Sequence, residues 1–304
     1  MTIRDRGLAI AACLLWASAF VGVKSALQHM PPLTLAGIRF ILAGILLLPL
    51  AGGLRPLSDC IRKHTTTLLL TSLFNTVLLY SIFFISLSIV RGAQAAILIG
   101  ASPLITAIVA HFMMDNDHMT RRKTVSIMMG IAGIVLLTIS SKPWDPVGIK
   151  EGLGLLLLLC GSISGALGNI VVAKRRAPDL NSIALTSLQM LLGGVILLSA
   201  GLLIEPLPQF TRLPRMFYAT LLWLAIISAG GFSIWFRLLE RVPVSELNLW
   251  KFIIPIFGAI LSWTLLSNES PDIFSIIGMI MVAIGIIHSQ MPAGARKQGI
   301  STNE

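Results

Sequence analysis

Carboxylates are scarce in this chain. Asp and Glu number 13 among 304 residues, against 23 Lys and Arg. All of them fall in loops or within a turn or two of the end of an apolar run, and Glu246 is expected to come nearest to burial. No Asp or Glu stands in the middle of a run, so the side chain that commonly relays protons or sodium through a bilayer is missing. Charged residues of both signs make up only 12% of the chain, about half of what a soluble domain carries. Cys13, Cys60 and Cys160 are few and scattered, which excludes a disulfide framework and offers no metal-ligand spacing. No nucleophile, base and orienting group come together, so catalysis has no support and no cofactor is implied. The connections between apolar runs are at most 14 residues long, below what a sensor or assembly domain needs.

What is present is apolar length. Ten stretches run near Leu8 to Leu27, Leu33 to Ala51, Thr66 to Ile89, Ala93 to Met114, Val125 to Ser140, Leu153 to Ala173, Ile183 to Ile204, Met216 to Phe236, Val244 to Leu266 and Ile273 to His288. About 20 apolar residues in a helix cross a hydrocarbon core. The runs lack the period-two alternation of barrel strands, and lipid offers no partner to an open sheet edge, so the fold class is an all-α integral membrane protein with ten transmembrane helices.

The net charge of +10 does not signal a nucleic-acid partner once the charges are placed. Arg4 and Arg6, Arg62-Lys63, Arg121-Arg122-Lys123, Lys174-Arg175-Arg176, Arg237 with Arg241, and Arg296-Lys297 all fall on the side of the N-terminus. Arg91, Lys142, Lys150, Arg212 and Arg215 are the scattered basic residues opposite. The positive-inside bias predicts a protein of the cell inner membrane with N- and C-termini cytoplasmic, and the basic clusters suit anionic lipid headgroups. Arg4 and Arg6, an apolar stretch and then Ala17-Ser18-Ala19 could mark a cleaved signal segment. Cleavage would remove one member of the repeat described next, so retention is the better reading.

The halves resemble each other in order. Leu35 to Gly44 lies over Leu185 to Gly194 at an offset of 150, and Pro103, Ala107, Ile108 and Gly133 match Pro255, Ala259, Ile260 and Gly285 at an offset of 152. This divides the chain into a first repeat at 1–142, a second at 148–290 and a cytoplasmic tail at 291–304. Five helices is an odd number, so the second copy enters the membrane from the other side. Inverted-topology repeats place a site near the midplane between halves that rock against each other, which is transporter architecture.

The residues also carry a family resemblance over about Gly7 to Ser289. Leu15-Trp16-Ala17-Ser18-Ala19-Phe20 followed by Lys24, Pro32-Leu33-Thr34-Leu35 with Arg39-Phe40, Arg241-Val242-Pro243-Val244-Ser245, and Pro255 followed by Phe257-Gly258-Ala259-Ile260 resemble EamA-type members of the drug/metabolite transporter superfamily. The resemblance implies two five-helix inverted repeats, termini inside, and export or exchange of small molecules. Asp115 and Glu269 fall where many relatives carry an acid after the proline-containing fourth and ninth helices. Asn248-Leu249-Trp250-Lys251 departs from the usual apolar residues before the ninth-helix proline.

Lys251 is the first candidate for substrate binding. An ionisable group at depth costs about 2.5 to 3.5 kcal/mol on insertion scales and usually faces a bundle interior. It lies seven residues into the ninth run, roughly 10 Å deep at 1.5 Å per residue. Asn248, Lys251 and Pro255 at i, i+3 and i+7 are expected to share a face. The alternative is that Lys251 snorkels to the cytoplasmic interface. Arg39, six residues into the second run, has the same two readings toward the other surface. Gln189 occupies its place in the second repeat and forms a polar stripe with Ser182 and Thr186, for substrate or for interhelical hydrogen bonds.

Asn75 with Ser72 marks a polar face, with Tyr80 just beyond. Asn169 continues the small-residue face of Gly161 and Gly165, which equally suits close packing. Trp16, Trp235 and Trp250 are placed to stack on an amphiphilic substrate, whereas Trp144, Trp223 and Trp263 read as interface or packing residues. Because the deep charges are cations, the expected substrate is amino-acid-like or otherwise anionic or zwitterionic. The alternative is a broad exporter of apolar or aromatic compounds.

Overall fold

The computed structural model describes residues 1–87, 89–90, 98–137, 149–206, 213–265 and 273–290. Trp144, Glu269, the tail from 291 and the side chains of Lys24 and Trp263 lie outside the described residues. The chain is helical: α1 (Ile3–Ala26), α2 (Pro32–Leu47) with a 3-10 turn at Leu48–Ala51, α3 (Leu54–Lys63), α4 (Thr65–Ser72), a π-helical stretch (Leu73–Leu78), α5 (Leu79–Leu87), α6 (Ser102–Met113), α7 (Arg121–Leu137), α8 (Ile149–Lys174), α9 (Ser182–Ile204), α10 (Arg215–Leu239), α11 (Val244–Asn248), a 3-10 turn at Leu249–Phe252, α12 (Ile253–Leu265) and α13 (Ile273–Gln290).

Among the described residues, six helical segments are long and apolar enough to cross a membrane: Pro32–Ala51, Thr65–Ser86, Gly152–Lys174, Ser182–Ile204, Arg215–Leu239 and Ile273–Gln290. The molecule is therefore an all-α, multi-pass membrane fold. Its outer surface is apolar, with Leu203, Ile204, Met216, Ile280 and Ile287 exposed, as is Trp223 on α10. Such a surface suits lipid and would be a liability in water.

Two pairs of helices cross at glycine. A methyl group built on Gly44 of α2 would stand 2.9 Å from the Ser187 carbonyl oxygen of α9, and one on Gly194 of α9 would stand 3.0 Å from the Gly37 carbonyl oxygen of α2. The Ser187 hydroxyl donates to the Gly44 carbonyl at 2.8 Å. On α7 and α13 the same occurs: a methyl on Gly133 would meet the Gly278 carbonyl oxygen at 2.6 Å, and one on Gly285 the Ser126 carbonyl oxygen at 2.9 Å. Absent side chains let backbones approach, which is where helices in lipid gain van der Waals contact. The contacts are reciprocal. Gly44 and Gly194, like Gly37 and Ser187, stand 150 residues apart, and Gly133 and Gly285, like Ser126 and Gly278, stand 152 apart.

Three departures from the sequence expectations have physical causes. The second and third runs are joined by a helix, α3, reached through Gly52 at φ 82° and Gly53 at φ 104°. That left-handed backbone costs glycine little, and α3 then buries Cys60 while Arg62 and Lys63 stay exposed. The ninth run is not one regular helix. Pro255 has no N–H for the Lys251 carbonyl, the chain tightens to 3-10 geometry over Leu249–Phe252, and the Ile253 N–H takes the carbonyls of Lys251 and Trp250. The expected α-helical face of Asn248, Lys251 and Pro255 is broken at that turn. Finally, among the described residues Asp117 and Asp5 are the buried carboxylates, 2% and 5% exposed, whereas Glu246 is only half-buried.

Asp117 is buried because it caps a helix from a distance. Pro243 begins α11 without a side-chain cap. Asp117 Oδ2 accepts from the Ser245 N–H at 2.8 Å, its Oδ1 from Lys123 Nζ at 2.6 Å, and the Ser245 hydroxyl also donates to it. Glu205 does the same for α2, whose Pro31 cap offers nothing, by accepting from Leu33 N at 2.7 Å and Thr34 N at 2.9 Å. Replacing Asp117 with Ala is expected to cost about 1–3 kcal/mol, since it strands the buried Ser245 donors and removes the ion pair to the partly exposed Lys123. Thermal melting of the purified protein checks this, and an unchanged Tm would refute the remote-cap account.

Candidate functional site

The centre of the molecule is aromatic. Tyr80, on α5, and Phe232, on α10, lie with ring centroids 6.3 Å apart. Phe40 of α2 packs edge-on to Tyr80 at 4.5 Å and lies 6.4 Å from Phe232. Trp16 of α1 meets Phe232 at 5.6 Å and Trp235 at 5.0 Å. Gly231 makes this possible, because a methyl there would stand 2.7 Å from Trp16 Nε1.

Two cations flank the cluster. Lys251 Nζ stands 4.9 Å from the Trp235 ring centroid and 5.8 Å from that of Trp16. Its ammonium is thus over the rings of the interior rather than drawn to the surface. The 3-10 turn carries Lys251 to this position. Arg39 is 3% exposed. Its Nε donates to the Ser228 hydroxyl at 2.7 Å, and its guanidinium carbon lies 5.4 Å from the Phe40 centroid and 5.7 Å from that of Tyr80. Cation–π contact stabilises each charge by about 0.5–2 kcal/mol, well short of its desolvation cost. Among the described residues no carboxylate pairs with either cation. The indole N–H groups of Trp16 and Trp235 are also buried without an acceptor. Lys251, Trp16 and Trp235 therefore present donors and positive charge, and nothing described here answers them.

Of the residues singled out in the sequence, the structure brings Lys251, Trp16 and Trp235 together, and Arg39 with Tyr80. Trp250 and Asn248 lie elsewhere, and Asn75, Asn169 and Gln189 lie at the contacts of α8 and α9. Trp250 turns toward the start of α1, where its Nε1 donates to the Met1 sulfur at 3.2 Å. There it lines an apolar cavity of about 440 Å³ with Arg6, Ile253, Ile256, Ile286 and Gln290. Asn248 is fully buried and spends its amide on the Val244 carbonyl of its own helix at 2.9 Å. Asn75 lies in the π-helical stretch, against Gly168 of α8, and Asn169 is buried on the same helix. Gln189 accepts from the Thr76 hydroxyl across the α9 interface.

Phe232, Ser228, Thr76 and Phe40 were not expected at the site, although the repeat offset held the signal. Phe232 stands 152 residues after Tyr80, as Ser228 does after Thr76, and Gln189 stands 150 after Arg39. The Arg39–Ser228 and Thr76–Gln189 bonds thus join positions related by the same two sequence offsets. The cationic wing has no such counterpart. At the same offset Trp235 corresponds to Phe83 and Lys251 to Ile99. No group of three or more His, Cys, Asp or Glu that could hold a metal occurs among the described residues.

The model of the EamA-like transporter family matches residues 7–139 and again residues 152–289. The chain belongs to the EamA-like transporter family. It is a non-enzymatic membrane transporter of small molecules. Relatives of this EamA-like protein include an uncharacterised transporter, YoaV, of Bacillus subtilis (strain 168), 22% identical over 95% of this chain and 97% of the relative. An S-adenosylmethionine/S-adenosylhomocysteine transporter of Chlamydia trachomatis serovar L2 is 25% identical over 92% of this chain and 88% of the relative. A solved crystal structure only 16% identical in sequence shares the fold with a TM-score of 0.81 over 95% of this chain and 97% of that one.

Proposed function

We propose that this EamA-like transporter is an inner-membrane carrier, an exporter or exchanger, that moves small amino-acid-like or otherwise anionic or zwitterionic metabolites by alternating access. Its ten helices form two inverted five-helix repeats with both termini in the cytoplasm. The observation that carries the substrate class is the Lys251 ammonium, held over Trp16 and Trp235 without a carboxylate partner while both indole N–H groups lack acceptors. A substrate carboxylate supplies the missing charge and acceptors together, and charge-assisted hydrogen bonds are the stronger kind. The reciprocal glycine contacts, the offset-related Arg39–Ser228 and Gln189–Thr76 bonds and the two successive family matches support the repeat. The Chlamydia trachomatis relative is a transporter of S-adenosylmethionine and S-adenosylhomocysteine, molecules with an amino-acid end and an aromatic base, which suits a site of cations and rings.

Proteoliposomes loaded with unlabelled amino acids and related carboxylates, and challenged with the labelled compound outside, test this reading. Counterflow of at least one is expected; failure across the whole panel, with neutral aromatic compounds exchanged instead, would move the assignment to apolar or aromatic export, which the Phe40, Tyr80 and Phe232 cluster favours as the second reading. Exchange should also persist without a pH gradient or added sodium, because a carboxylate relay needs an Asp or Glu at depth and the sequence has none at mid-span. Accumulation driven by an imposed proton gradient would contradict that mechanism. For topology, a reporter after Gln290 should read cytoplasmic and one inserted within residues 143–146 external. A cytoplasmic reading at the second position would end the inverted-repeat proposal.

A further inference from the structure

Beside the π-helical stretch lies a set of polar groups that neither packing nor the cationic wing uses. The Thr71 and Ser72 hydroxyls and the amide nitrogens of Asn75 and Gln189 are buried without a hydrogen-bond partner. Their residues are 0%, 1%, 2% and 0% exposed. Buried polar side chains in folded proteins are nearly always satisfied, so four together mark a place where something polar binds.

The polar side chains are fixed in position by their neighbours. A methyl on Gly168 would stand 2.4 Å from the Asn75 side-chain carbon, and one on Gly193 would stand 2.5 Å from Thr76 and 3.1 Å from the Ser72 hydroxyl. These side chains therefore lie directly against the glycines of α8 and α9, which hold them in place and leave no space for a larger residue at either position. Within the π-helical stretch the Phe74 carbonyl accepts from the Ser164 hydroxyl of α8 at 2.8 Å. Single π-turns within α-helices recur at functional sites.

The set also has a defined relation to the charged site. Gln189–Thr76 is the counterpart of Arg39–Ser228 by the two sequence offsets. Thr76 precedes Tyr80, and Ser228 precedes Phe232, by four residues, about 6 Å along an α-helix. One pair is charged and the other is neutral.

We propose that Asn75 and Gln189, with the Thr71 and Ser72 hydroxyls, form a second, uncharged subsite that takes a neutral hydrogen-bonding group of the substrate while its carboxylate lies among Arg39, Lys251 and the indoles. This rests on the anion reading above and narrows it. The preferred substrate has one carboxylate and, across an apolar or aromatic middle, an amide or hydroxyl. A dicarboxylate is disfavoured, because its second charge meets only neutral dipoles after losing its hydration.

The test uses the purified full-length protein in detergent and its intrinsic tryptophan fluorescence, with Trp16 and Trp235 as reporters at the site. The probes are 3-phenylpropanoate, its 4-carbamoyl derivative and its 4-carboxy derivative. The carbamoyl compound is expected to bind wild-type protein at least about fivefold more tightly than either of the others. Gln189→Leu and, independently, the milder Asn75→Ala should each abolish that advantage and leave 3-phenylpropanoate affinity within about twofold, which also certifies that the variants are folded. Equal affinities for all three probes in the wild type would overturn the proposal, because the polar groups would then hold only water. A carbamoyl advantage that survives in both variants would overturn it as well. Absence of 3-phenylpropanoate binding to the wild type would instead bring down the anion site itself, and the subsite with it.

Discussion

Lys251→Met is expected to reach the membrane at wild-type abundance and to lose about 100-fold or more of its exchange of an anionic or zwitterionic substrate. Methionine keeps the length and volume of the stem, so packing over Trp16 and Trp235 is largely preserved. What disappears is the charge. A hundredfold corresponds to about 2.7 kcal/mol, within the range for a hydrogen bond to a charged group. Removing a half-buried ammonium that no carboxylate among the described residues pairs also relieves a desolvation cost, so thermal stability should hold or rise. This separates a binding role from a structural one, since a structural cation would lose stability when deleted. Reconstituted protein with unchanged exchange would show that Lys251 does not bind substrate. Exchange of a neutral aromatic compound should be spared in the same variant.

The largest expected loss of stability belongs to Gly37→Val. A Cβ on Gly37 would lie 2.5 Å from the backbone nitrogen and 2.6 Å from the Cα of Leu198. These are backbone atoms of α9, and no rotamer change relieves the overlap. Overpacking in a well-packed interior typically costs about 1–3 kcal/mol, and here two helices must separate along their whole crossing, so the upper end or beyond is expected. The same separation would pull Gly194 from Gly37 and the Ser187 hydroxyl from the Gly44 carbonyl. Gly152→Ala and Gly258→Ala are the controls, because nothing lies within 4 Å of a Cβ at either position. Melting of purified protein should fall sharply for Gly37→Val and stay near wild type for the controls. Equal melting of all three would mean that α2 and α9 do not cross as described.

The amino-acid sequence by itself determined that this is a helical membrane protein. Apolar length, a scarcity of charge and the absence of strand alternation answer directly to the solvent, and lipid leaves a chain few options. The sequence also carried the offsets of 150 and 152, hence the glycines that meet at the two crossings, and it marked Lys251 and Arg39 because a deep charge is conspicuous in any apolar run. It did not specify how helices depart from regular geometry. The π-helical stretch over Leu73–Leu78 carries no local marker in the sequence and is met by Ser164, 90 residues away, while Pro255 marks a break in the ninth run without saying that it takes the form of a 3-10 turn at Leu249–Phe252.

Those departures decide which face each polar residue presents. They sent Trp250 toward Met1 and turned Lys251, its immediate neighbour, onto Trp16 and Trp235. Asp117 looks like an ordinary loop carboxylate until α11 is seen to start at a proline with no cap of its own. Periodicity along one helix reports which residues share a face. Which partner that face meets, and whether a buried donor finds an acceptor, depends on contacts between segments far apart in the chain, and only the tertiary structure supplies them.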